Sequence, residues 1–255
     1  MKLTILGSGT TNPASGRNEP GYLLEIGRDL VLMDAGSGTK EHIFDSGYDD
    51  FRINHILISH THADHVVDLP AFFWSRWVRK NKNDVTILGP KGISGFIKKI
   101  GEAFFPGYDD FFMFQIKVKE MHNSVYQTKN WKVKSVYTWK QGHTFSPYAV
   151  AYRIEHQGKS LVYAGDMCYD YPQSLINISQ NADLLLIESA LPDQRRQKDH
   201  LTPSRAAQIA SEAKVKKLVL THFYPACEKY DLKKQAQKYY PGPIILAKDL
   251  MKIKI

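Results

Sequence analysis

HILISHTHADHVVDLPAFFW, residues 55 to 74, passes from an apolar strand into a turn crowded with metal-ligand side chains and then into a helical run. His60, His62 and His65 with Asp64 put three imidazoles and one carboxylate into six residues at the strand's carboxyl end. Packing alone does not account for that density. His60 and His62 lie two apart, so an extended turn can project both to one side, while Asp64 and His65 can face a second point nearby. Imidazole and carboxylate are the usual nitrogen and oxygen ligands of zinc-type centres, so this segment is a template for two adjacent divalent cations.

On the amino-terminal side, short apolar segments over 2 to 6, 21 to 26, 29 to 33 and 55 to 59 read as strands bounded by Gly, Asp or Asn. Helices are expected over 64 to 79 and 91 to 104. Strands resume near 115 to 120, 124 to 128, 131 to 138, 148 to 155 and 159 to 164, the last two joined by the turn His156-Gln157-Gly158-Lys159. The apolar run ADLLLIES follows, then a helix from Pro203 to Ala213 with Thr202 as its N-cap, the strand KKLVLTH, a polar helix near 231 to 239 and a last strand near 243 to 246. Two β-rich halves that each bring helices suggest an α/β layering, two sheets face to face with helices outside, in a single domain over residues 1–255.

Further ligand candidates stand at strand ends: His143 in KQGHTF, Asp166 in YAGDM and His222 in VLTHFYP. Singly, each reads better as a satisfied turn residue; beside the 60–65 cluster the balance reverses. The 255 residues are 43% hydrophobic and 24% charged, ordinary globular usage, with a net charge of +8 that suits an anionic partner or a lysine-rich surface. The start reads as a strand rather than a signal peptide, and no run approaches the roughly 20 apolar residues of a membrane span. Cys168 and Cys227 are too few for a disulfide framework, so a cytoplasmic location is expected.

HTHADH matches the H-x-H-x-D-H signature, and His143, Asp166 and His222 the later metal motifs, of metallo-β-lactamase-fold hydrolases, which the chain resembles along essentially its whole length. The resemblance implies an αββα sandwich with two divalent metals in a cleft at one sheet edge, zinc first and manganese second. It assigns His60, His62 and His143 to one metal and Asp64, His65 and His222 to the other, with Asp166 bridging. Asp34, in LMDAGSG, matches the family's early Asp, which orients ligands from behind. Two cations about 3.5 to 4 Å apart would lower the pKa of a shared water and neutralise an anionic transition state. Asp64 could take the proton of that nucleophile, and an acid must protonate the leaving oxygen. His200 resembles the additional histidine of the ribonuclease Z branch and is the candidate acid, leaving His42, His55, His122 and His156 as surface or packing residues.

The first loop, GSGTTNPASGRN, is similar to that branch's Gly-rich opening, and Arg17 and Asn18 match its substrate-binding pair, although Ser15 stands where a lysine is expected. Only 22 residues separate His143 from Asp166, consumed by two strands and a turn, so the arm with which ribonuclease Z enzymes grip tRNA does not fit. The chain is therefore most similar to the branch's small cyclic-nucleotide phosphodiesterases, including those with which phages disarm defence signalling. That likeness implies a small anionic phosphodiester, most simply a 3′,5′-cyclic nucleotide, as substrate and no stable nucleic-acid partner. A tRNA 3′ endonuclease is the runner-up, followed by an esterase, lactonase or sulfatase; a binding module would have to retain seven ligands without use. Homodimerisation is usual in the branch and is expected here. The aromatic runs LPAFFWSRWV and AFFPGYDDFFMF are expected to divide between core, a subunit interface and a wall for a base.

Overall fold

The computed structural model describes residues 1–106, 114–140, 146–168 and 172–255. They form two seven-stranded sheets. The first contains β1 (Lys2–Gly7), β2 (Gly21–Ile26), β3 (Asp29–Ala35), β4 (Ile53–Leu57), β5 (Val85–Gly89), β6 (Ile116–Glu120) and β14 (Lys252–Lys254), in the order β14-β1-β2-β3-β4-β5-β6. The second contains β7 (Val125–Gln127), β8 (Lys132–Lys140), β9 (Tyr148–His156), β10 (Lys159–Tyr163), β11 (Leu184–Glu188), β12 (Leu218–Thr221) and β13 (Ile244–Leu246), in the order β13-β12-β11-β10-β9-β8-β7. In each sheet antiparallel hairpins give way to parallel strands, from β3 to β6 and from β10 to β13. Parallel strands are covered on both faces, which is why β11 and β12 are buried along their whole length.

The sheets face each other across one apolar core that joins Leu3, Tyr22, Val31 and Met33 of the first to Val150, Tyr152, Leu161 and Leu185 of the second. The helices α1 (Thr39–Asp45), α3 (Leu69–Val78) and α4 (Ile93–Phe104) cover the outer face of the first sheet over a second cluster with Leu32, Ile56 and Ile87. On the second sheet lie α5 (Pro172–Ser179), α6 (Pro203–Glu212) and α7 (Leu232–Gln237). This is the expected αββα sandwich. Polar bonds cross between the sheets near one end: the Tyr152 hydroxyl donates to the Ile58 carbonyl at 2.7 Å, and Tyr22 and Thr221 hydroxyls meet at 3.0 Å.

Some expectations need correction. The helix expected over 64–79 is two, α2 (Ala63–Val66) and α3, because Pro70 lacks an N–H and favours the first turn of a new helix. Thr202 occupies the N-cap of α6 but its side chain caps nothing; the Asp193 carboxylate accepts from the Ser204 N–H at 3.1 Å and closes that end from a neighbouring loop. The strand β5 and the elements α1, α5 and β14 were not legible in the pattern. Of LPAFFWSRWV, Phe72 and Phe73 are core whereas Trp74 is 45% exposed and stacks on Phe105. Residues 107–113 of the second aromatic run lie outside the described residues. Among the described residues, no helix is long and apolar enough to cross a membrane.

Candidate metal centre

Register brings the candidates to one edge. Val31 lies beside His55 and Met33 beside Leu57, so Asp34 at the end of β3 arrives next to Ser59, just past β4. In the other sheet Glu188 pairs with Thr221, which places Glu188 and His222 level at the carboxyl ends of β11 and β12. Asp166 follows β10 through Gly165, whose φ is +62°; a Cβ there would lie 2.6 Å from the Ser59 Cβ, so only glycine lets the two loops approach. Carboxyl ends of parallel strands are where such sheets place their ligands.

Asp34 is fully buried and accepts four hydrogen bonds, from the Ser59 N–H (2.7 Å), the Ser59 hydroxyl (2.6 Å), His65 Nδ1 (2.7 Å) and the Tyr163 hydroxyl. The bond from Nδ1 turns the bare Nε2 of His65 into the cluster. The Ser59 hydroxyl, donating to Asp34, can accept from His60 Nδ1 at 3.0 Å, which turns His60 Nε2 inward in the same way. Although Asp34 lies near His60 and His65, its oxygens are already taken, so it offers no free ligand atom.

Three ligand groups remain among the described residues, one of them through His200. His60, His62 and Asp166 form one, with His60 Nε2 3.8 Å from Asp166 Oδ2. Asp64, His65 and His222 form another, and Asp166 Oδ1 faces it. His65 Nε2 and His222 Nε2 are 3.3 Å apart, and each lies 3.4 and 3.3 Å respectively from Asp166 Oδ1. Asp64 Oδ2 is 3.5 Å from His222 Nε2 and 3.8 Å from His65 Nε2. Ligand atoms about 2.0–2.1 Å from a tetrahedral zinc lie roughly 3.3–3.4 Å from one another, so this spacing fits a cation. His60 Nε2 and Asp166 Oδ1 are buried with no hydrogen-bond partner, a state that a cation would relieve. His143 lies outside the described residues.

Electrostatics point the same way. Burial resists charge on His65, but Asp166, Asp64 and Asp34 together pull its pKa well above the usual imidazole range. Burial likewise opposes ionisation of Asp166 and Asp64, and the surrounding histidines hold both well below the carboxylate range. The carboxylates demand positive charge at this point.

His200 comes to the same edge, with a ligand atom within 4.8 Å of those of Asp166 and His222. Its Nδ1 lies 2.9 Å from Glu188 Oε2, while Glu188 Oε1 accepts from the Met167 N–H at 2.6 Å. Burial works against charge on His200, and Glu188, then Asp166 and Asp199, overcome it and carry its pKa up to about 9. Arg17 and Asn18 are drawn into the protein's own network. The Arg17 guanidinium donates to Glu228 (2.8 Å), the Ser8 hydroxyl (2.8 Å) and the Ala247 carbonyl (3.0 Å) and lies over Phe223. The Asn18 N–H donates to Asp249 at 2.7 Å, and its side chain meets His42.

The profile of the Beta-lactamase superfamily domain matches residues 30–223, from β3 through His222. The chain belongs to this superfamily. It is a hydrolase of the metallo-β-lactamase fold, which implies divalent metal. Ribonuclease Z of Prochlorococcus marinus subsp. pastoris is 26% identical over an alignment of 314 positions that takes in 100% of both chains. Among solved structures, the metallo-β-lactamase fold protein YhfI from Bacillus subtilis superposes with a TM-score of 0.84 at 24% identity, covering 99% of this chain and 98% of that one. The short form of human tRNase Z gives a TM-score of 0.81 at 24% identity, covering 100% and 99%.

Within this superfamily member, sequence reasoning passed over Glu188 and Tyr163. Glu188 closes the apolar run ADLLLIES, and a lone carboxylate at the end of a wholly buried strand was the available signal. Tyr163 carried none, because its partner Asp34 is 129 residues away.

Proposed function

We propose that the chain is a dinuclear metal-dependent phosphodiesterase acting on a small phosphodiester, with 3′,5′-cyclic nucleotides as the first choice. The observation that carries it is the set of buried ligand atoms around Asp166, spaced as a cation's ligands are, with His60 Nε2 and Asp166 Oδ1 lacking hydrogen-bond partners. His60, His62 and His143 would hold one metal and Asp64, His65 and His222 the second, with Asp166 shared; zinc suits the donor set best and manganese next. The pair would supply an activated water and neutralise the phosphate's charge. Asp34 holds His65 in the ligating orientation. Asp64 takes a proton from the nucleophile. His200, kept charged by Glu188, delivers a proton to the leaving oxygen. Arg17 and Asn18 would act by fixing the first loop over the cleft.

The small substrate is supported by the connection into Asp166. β9 and β10 turn tightly at Gln157-Gly158 and use up the segment in which a tRNA-gripping arm would stand. A homodimer in a reducing cytoplasm, built from a single domain, completes the reading. Hydrolysis of cyclic nucleotides, linear diesters and 3′-extended tRNA by metal-loaded protein tests it. Cyclic mononucleotides should be cleaved faster, with weak salt dependence, because one phosphate releases few counterions. A tRNA 3′ endonuclease remains the second reading, favoured by the end-to-end similarity to ribonuclease Z. Cleavage of precursor tRNA with cyclic nucleotides untouched would establish it instead.

A further inference from the structure

The loops that present the metal centre also wall a groove of about 460 Å³. Asn12 follows Thr11, whose N–H donates to Asp64 at 3.3 Å. Leu191 lies just beyond Glu188. Tyr224 lies just beyond His222, its ring 5.6 Å from that of His200 and 6.3 Å from that of His222. Tyr224 thus links the groove to the neighbourhood of His200, where the leaving oxygen would receive its proton. Its volume falls within the roughly 300–1,000 Å³ of small-molecule sites.

Leu191 and Tyr224 give the groove apolar surface, while Arg195, Gln197 and Lys229 bring polar groups to it. Arg195 stands on a short turn that is tied down at several points. Its own N–H donates to the Pro192 carbonyl at 2.8 Å, the Asp193 N–H donates to Gln235 at 3.0 Å, and the Asp193 carboxylate accepts from Ser204. The backbone beneath the guanidinium is thus anchored to α6 and α7. Among the described lining residues none is a carboxylate, and Arg195 and Lys229 can only donate hydrogen bonds. A ligand with a flat apolar body and an edge of acceptors suits such a groove.

We propose that this groove is a nucleobase subsite, in which Tyr224 and Leu191 cover the base and Arg195 reads its acceptor edge, so that guanine is preferred over adenine. The inference rests on the phosphodiesterase reading of the adjoining centre. Guanine presents O6 and N7 as neighbouring acceptors that match the planar fork of a guanidinium, whereas adenine places an amino donor where guanine has O6. The Tyr224 hydroxyl, 5.6 Å ring to ring from His200, can donate to the sugar between base and phosphate.

The test compares steady-state kinetics of the metal-loaded parent, Arg195→Ala and Arg195→Lys on 3′,5′-cyclic GMP, 3′,5′-cyclic AMP and bis(p-nitrophenyl) phosphate, which has no base. In the parent, kcat/KM should favour cyclic GMP over cyclic AMP by about tenfold, the order expected of one bidentate contact. Arg195→Ala should raise KM for cyclic GMP about tenfold while kcat changes little, and should bring the two cyclic nucleotides level. Arg195→Lys should restore only part of the preference, because a point charge cannot match both acceptors. Equal KM changes for both nucleotides, or none, would overturn the subsite. Should no cyclic nucleotide be hydrolysed, the phosphodiesterase reading fails separately, and competition by GMP and AMP against the nitrophenyl diester decides the subsite. A GMP inhibition constant that rises about tenfold in Arg195→Ala while that for AMP does not would uphold it, and parallel behaviour would sink it.

Discussion

Two groups of charge buried among the described residues differ in what the protein sets around them. Arg76, fully buried on α3, gives Nη1 to the carbonyls of Asp50 (2.9 Å) and Ile53 (3.2 Å) and Nη2 to that of Asn83 (2.7 Å), with Phe72 and Phe114 rings beside it. The Asp50 carboxylate turns away to Arg79. Burial lowers the Arg76 pKa to about 10, which still leaves it charged at neutral pH. This cation, met by neutral carbonyls at Nη1 and Nη2 and left without a partner at Nε, ties a helix to the loops beneath it. The metal centre is the reverse. Its acceptors and imidazole lone pairs face one another at 3.3–3.5 Å, and His60 Nε2 and Asp166 Oδ1 go without a partner. One buried charge closes a structure; the other cluster opens a site.

Substitutions in the two clusters should separate accordingly. The largest effect is expected for Asp166→Ala, which would remove the ligand proposed to be shared. Elemental analysis should find both metals depleted and activity lost to background, and stoichiometric retention of metal would break the contrast.

Next comes His200→Ala, which should lower kcat on natural diesters by roughly 10²–10⁴ with metal content unchanged. Nitrophenyl diesters, whose leaving group needs no acid, should lose much less. An equal loss on both would give His200 a positioning role.

Arg76→Met should act on stability, because it strands the buried carbonyls of Asp50 and Ile53 and also removes the bond to the Asn83 carbonyl. A cost of about 3 kcal/mol is expected in urea unfolding, with metal content retained. Chelation should destabilise the parent and this variant by similar amounts, since distant sites add. Loss of metal in Arg76→Met would show that the clusters are coupled.

Asp34→Asn should be mildest, because it keeps the shape but weakens the hold on His65 Nδ1. Metal affinity should fall by about 10–100-fold, read by competition with a chelating dye. Unchanged affinity would leave Asp34 as a folding residue.

How much of this was legible in the chain follows from the range of each interaction. HTHADH is local, and its strand before and helix after follow from periodicity, so ligands and architecture could be read together. Strand ends could also be read, which is why Asp166 and His222 were found where the centre stands. The break between α2 and α3 needed only Pro70 to be weighed more heavily. β5 escaped because VTILG is a short apolar run, which periodicity alone cannot tell from a buried helix.

What only the tertiary structure decided are pairings across long separations. Asp34 meets Tyr163, Glu188 turns His200, and Asp193 closes the end of α6 in place of Thr202. Arg17, which matched a substrate-binding position, spends its donors on Glu228, Ser8 and Ala247. Arg76 sits in the interior, held by carbonyls of Asp50 and Ile53 more than twenty residues away in the chain. Residue type and spacing determine which groups are available and which face of an element they share. Whether a buried group finds its partner depends on strands far apart in sequence being laid side by side, and hydrogen bonds across such distances leave no periodic trace in the chain.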